Sequence, residues 1–94
     1  RFQMFGGEEV RVTLRCTNAM QNTMRERFGT GPIFVEEPDD HFHFDTNIVV
    51  SSPFFGWVMG FGGQVEILHP QSVRTQMRDA ALACAQAHSG PDPQ

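Results

Sequence analysis

Val10-Arg11-Val12-Thr13-Leu14-Arg15-Cys16 alternates apolar and polar side chains over seven residues. Successive side chains of an extended strand point to opposite faces, so this alternation gives one buried face and one wet face. Val and Thr suit the pleated backbone. The buried side carries Val10, Val12, Leu14 and Cys16, and the wet side carries Arg11, Thr13 and Arg15. A half-buried strand needs pairing strands beside it and an apolar layer over one face, and the rest of the chain supplies both.

Asn18, with Gln21 three residues on, has the form of a capping box. Met20, Met24 and Phe28 then recur along one helix face, which Gly29 closes. After the break at 29–32, Ile33–Glu37 reads as a second strand and Pro38-Asp39-Asp40 as a turn. His41–Val50 reads as a third strand with Phe42, Phe44, Thr46, Ile48 and Val50 on one side. Ser52 before Pro53 has the form of a helix N-cap, and Phe54, Trp57, Val58 and Phe61 stripe the helix that Gly62-Gly63 ends. Val65 and Ile67 alternate through a fourth strand. Pro70 opens a last helix whose shared face is Val73, Met77, Ala80, Ala81 and Cys84. Residues 1–7, closing on Gly-Gly, read as a linker, residues 8–88 as the folded domain, and residues 89–94, with two prolines, as a flexible tail. The expected fold is α+β: a ferredoxin-like βαββαβ sandwich, its four antiparallel strands in the order 4-1-3-2, plus a C-terminal helix.

Composition narrows the classes of function. The 94 residues suit one domain. No apolar run approaches the roughly 20 residues that span a bilayer, and no signal-peptide pattern opens the chain. The net charge is −4, with seven arginines, no lysine and eleven acids. That balance argues against gripping duplex DNA unaided, since such affinity rests on neutralising phosphates. Cys16 and Cys84 fall at apolar positions and read as buried, reduced thiols of a cytoplasmic protein. The first residue is Arg1, which suggests a piece of a longer protein.

The uncovered face of the sheet gathers Arg11, Thr13, Arg15, His41, His43, Asp45, Asn47, Gln64 and Glu66. One reading is a solvated face laced with cross-strand pairs. The other is a surface that meets a second subunit or an anionic ligand, since the planar guanidinium matches carboxylate and phosphate. Arg11, Thr13, Arg15, His43, Asp45 and Glu66 are the candidate effector or interface residues, with Asp45 and Glu66 as the acids able to satisfy the arginines. His41, His43 and Asp45 have a spacing capable of holding zinc, with a further ligand to come from Glu66 or a partner chain, but histidines beside a turn on a polar face are usually just solvated, so no metal is assigned. RNA-recognition modules share this topology but stack bases on open-face aromatics. Here parity leaves only Phe34 off the covered side. No nucleophile–base pair and no phosphate-loop glycine spacing is present, so neither enzymatic activity nor a cofactor is expected.

The runs MFGGEEVRVTLRCTNAMQNTMRERFG (4–29) and FFGWVMGFGGQVEILHPQSVRTQMR (54–78) resemble the C-terminal extension, WCX, of bacterial WYL-domain transcriptional regulators. In that family the extension follows a winged helix-turn-helix and a small WYL barrel. The Trp-Tyr-Leu motif of the barrel has no counterpart here, because the chain has no tyrosine. The resemblance implies a regulatory module that helps the regulator form a homodimer and contributes to sensing a small-molecule or nucleic-acid effector. DNA would be bound by the parent's N-terminal domain, and no membrane is involved. The alternative is a stand-alone, dimeric small-ligand-binding domain of the same fold.

Overall fold

β1 (Glu9–Thr17) is a nine-residue strand at the centre of the sheet in the computed structural model, which describes residues 8–94. The linker expected over 1–7 lies outside the described residues. A 3-10 turn (Asn18–Met20) leads into α1 (Gln21–Phe28), followed by β2 (Val35–Glu37) and β3 (His41–Val49). Then come α2 (Ser52–Met59), a second 3-10 turn (Gly62–Gln64), β4 (Val65–His69) and α3 (Gln71–Ala87). All pairings are antiparallel in the order β2-β3-β1-β4, which is 4-1-3-2 read from the β4 edge.

The β1–β3 ladder pairs Val12 with Thr46, Leu14 with Phe44 and Cys16 with Phe42. Leu14, Cys16, Phe42 and Met24 have no exposed surface, and Val12 and Phe44 almost none. Ile48, Val65 and Ile67 complete the sheet's share of the core, and Phe54, Phe55, Val58 and Val73 contribute from the helices. Phe34 does not stand on the open side. Its ring centroid lies 4.5 Å from that of Phe42 and 4.9 Å from that of Phe44, with the Arg25 guanidinium 3.5 Å above it. Strand parity read from β2 agrees: Val35 and Glu37 alternate onto the open face, and Phe34 falls with Glu36, whose register partner is the buried Phe42.

Local chemistry shifts several expected boundaries. Asn18 does not cap α1: Met20 holds the cap position without a side-chain bond. Asn18 instead ties the end of β1 to the β2–β3 turn. Its backbone N–H donates to the Asp40 carbonyl at 2.9 Å, and its Nδ2 donates to Asp40 Oδ1 at 2.8 Å. That turn is held by Asp39 and Asp40 at φ of 65° and 64°, a region aspartate tolerates better than most residues. Ser51, not Ser52, caps α2, its Oγ accepting the Phe54 N–H at 3.2 Å. β2 begins at Val35, because Phe34 turns into the core and leaves Ile33 79% exposed. β3 ends at Val49.

Two core assignments change. Phe55 is buried beside Phe54 and Val58, whereas Trp57 is half-buried on the flank of α2. Trp57 packs edge-on to Phe28 and Phe61 and stacks at 6.1 Å on Phe54, with the Arg27 guanidinium 4.8 Å from its ring. Cys84 is exposed, because α3 buries Val73 and half-buries Met77, Ala80 and Ala81 but then runs on without cover. Burial pushes the Cys16 thiol up to about 12.

Phe42→Ala should therefore cost about 3–5 kcal/mol as a core truncation, and Trp57→Ala a smaller 1–3, roughly, as a rim truncation. Urea unfolding of both variants checks the order; equal costs would contradict it. A thiol-reactive dye at neutral pH should label one cysteine, Cys84, in the folded chain and both after denaturation. Labelling of Cys16 in the native state would overturn the burial described.

Candidate functional site on the open sheet face

Odd-numbered positions of β1 and β3 point away from the helices, and the cross-strand partners there are polar except for Val49, opposite Glu9. The register sets Arg11 opposite Asn47, Thr13 opposite Asp45, and Arg15 between His43 on β3 and Glu66 on β4. The arginines do not converge on one acceptor. Arg15 Nε donates to Glu37 Oε1 at 2.7 Å, and its Nη1 lies 3.7 Å from Glu66 Oε1. Among the described residues Arg11 reaches only the Asn47 amide oxygen, at 3.4 Å. Asp45, expected to serve an arginine, accepts the Thr13 hydroxyl at 2.6 Å and separates the two guanidinium groups.

Glu37 is the hub of the cluster. One carboxylate oxygen takes Arg15 and the other takes His43 Nδ1. The Arg15 hydrogen bond, with His43 adding to it, holds the Glu37 carboxyl below the usual carboxylate range. The same bond raises Arg15 above the ordinary value for arginine. Glu66 is shared with Arg74 of α3, whose Nη1 also donates to the Ile67 carbonyl at 3.0 Å. A continuous line of charge thus runs from α3 across β4 and β1 to β2. Its members are partly exposed, so solvent screens each link and keeps it weak.

Arg15, His43 and Glu66 are brought together as expected, and Arg11, Thr13 and Asp45 lie beside them as a second group. Glu37 and Arg74 were not foreseen. Glu37 shares the open face with His41, its register partner on β3, so strand parity could have found it. His41 Nδ1 faces the Asp39 carbonyl at 2.6 Å, apart from the cluster. Among the described residues, no three His, Cys, Asp or Glu side chains are grouped to hold a metal ion.

The face also has an apolar part. Beyond the short β2, Arg11, His43 and Asp45 meet Ile33 and Val35 in a shallow cleft of about 330 Å³. Ile33, Val35 and Val49 are 79%, 44% and 40% exposed, leaving Leu82 as the remaining large exposed hydrophobe among the described residues. Such an arrangement can seat a surface that is apolar with a polar rim.

A model of the WCX domain matches residues 8–85, which takes in the whole sheet, α1, α2 and most of α3. No match is found among curated proteins.

The Glu37 bonds have a pH signature. A carboxyl depressed in the folded state stabilises it fully above its ordinary value of 4.5, and that contribution fades as pH falls through the folded value. Glu37→Gln should therefore lower the urea midpoint at pH 7, and the gap to the unmodified chain should narrow as pH falls below 4.5. A gap that stays constant with pH would contradict the Glu37 assignment.

Proposed function

The chain belongs to the WCX domain family, and from that premise we propose that it is the C-terminal dimerisation and regulatory module of a bacterial WYL-type helix-turn-helix transcription regulator. Its sheet and first two helices form a ferredoxin-like unit in this reading, and α3 extends that unit at the β4 edge. The work is done by association and not by catalysis, in the cytoplasm, with no cofactor. The net charge of −4 supports leaving DNA contact to the regulator's helix-turn-helix domain.

The observation that carries the reading is the mixed character of the open face. Exposed Ile33 and Val35 share a cleft with Arg11, which among the described residues has only an amide for a partner, and Val49 is exposed further along β3. Antiparallel sheets commonly leave one face polar and solvated, but clustered exposed aliphatics mark association sites. Arg11 can bind a carboxylate of a second copy, while Ile33, Val35 and Val49 supply the contact that water would otherwise disfavour. Arg15 is already engaged by two acids, so it holds the face in shape instead of reaching across.

In sedimentation velocity the chain should associate to a dimer at about 10–100 μM, the affinity expected of a small, partly polar interface. Arg11→Ala combined with Val35→Ser should sediment as a monomer with a native circular-dichroism spectrum. The same pair placed in the full regulator should impair its response to effector. A folded double variant with unchanged sedimentation and unchanged induction would remove the proposal.

A further inference from the structure

A second concavity lies at the opposite edge of the sheet, where α2, the Gly62–Gln64 turn, β4 and α3 surround a groove of about 570 Å³. Pockets that hold small ligands span about 300–1,000 Å³ and are mostly apolar with a few placed polar groups. The lining is apolar: Val58, Val65 and Ile67 are buried beneath it, and the half-buried Met59, Met77 and Ala81 supply its accessible part. At the mouth stand Arg74 and Arg78, four residues apart and so on one face of α3.

The two guanidinium groups are differently prepared. Arg74 is fixed by Glu66 and the Ile67 carbonyl through one nitrogen, and its other nitrogens make no hydrogen bond among the described residues. Arg78 faces only Asp79, at 3.7 Å and with both side chains well exposed. Two arginines against Glu66 leave the groove cationic within a chain of net charge −4. Gly63 lines the same groove, and a Cβ placed there would meet nothing within 4 Å. Its φ is outside the left-handed region, so neither sterics nor backbone demands glycine at this point.

We propose that this groove binds a small amphipathic carboxylate, its hydrocarbon body against Met59, Met77 and Ala81 and its carboxylate on Arg74 and Arg78. The site is separate from the Arg11 cleft on the open sheet face. Arginine at the mouth favours an anion over a neutral or cationic head group, and an apolar floor of this size favours a hydrocarbon body. An eight-carbon acid with one charged end offers that combination.

The test is titration of the isotope-labelled chain with octanoate, read by amide chemical shifts, with 1-octanol as the uncharged control of equal length. Octanoate should produce saturable shifts at Gly62, Gly63, Val65 and Arg78, with Kd about 0.1–1 mM for a ligand this small. Gly63→Leu, which fills the groove, should weaken binding at least about tenfold. Arg78→Ala, at an exposed position that the fold does not need, should weaken octanoate several-fold and leave 1-octanol unchanged. If Gly63→Leu fails to fold, Arg78→Ala alone decides. Absence of saturation, shifts confined to the Arg11 face, or equal loss of octanoate and octanol in Arg78→Ala would each overturn the proposal. Groove signals that follow protein concentration but not octanoate would also overturn it, and would assign the groove to a second copy of the chain.

Discussion

The nine-pair antiparallel ladder between β1 and β3 decides the face on which every other side chain falls. It pairs Glu9 with Val49 at one end and Thr17 with His41 at the other. Within it Leu14 meets Phe44 and Cys16 meets Phe42, all four buried. A slip of β1 by one residue would carry Leu14 and Cys16 to water and bring Arg15 under the helices. Burying an unpaired guanidinium costs far more than any surface pair on the open face returns. The apolar side thus enforces the register, and the register places the polar cluster.

Placement alone would leave β2 weakly held, since it pairs with β3 over only three residues. Glu37 compensates by reaching across β3 to Arg15, while Asn18 holds the β2–β3 turn through Asp40. On the other side Arg74 ties α3 to Glu66. Each link is modest, but together they brace both edges of the sheet against its central strand. Where the bracing stops, beyond the short β2 and beyond the mid-point of α3, aliphatic side chains reach solvent. The cleft beside Arg11 and the groove beside Arg78 adjoin those places.

The strands were legible because period two survives any choice of neighbour: Val12, Leu14 and Cys16, like Phe42 and Phe44, are buried as their alternation implies. The helices were less so. Phe55 and Trp57 lie on opposite flanks of the Phe54–Val58 line, at about 100° per residue, and only the tertiary approach of α2 decides which flank meets the sheet. Cys84 continues the periodicity of α3, but periodicity does not reveal where the covering layer ends. On the candidate site, Arg15, His43 and Glu66 follow from parity and register. Arg74 does not, because it turns a corner after β4 to reach Glu66. Asp45 went to Thr13 because the hydroxyl stands directly opposite, closer than either arginine.

In the proposed reading the open sheet face, and not the helical layer, is where this chain associates with itself. A dilution series of amide spectra from the labelled chain tests it most directly, since each resonance reports its own surroundings. Signals of Arg11, Val35, His43, Asp45 and Val49 should move together with protein concentration while those of α1 and α2 stay still. Concentration-dependent shifts confined to the helices, or none at concentrations where sedimentation finds a dimer, would contradict the account.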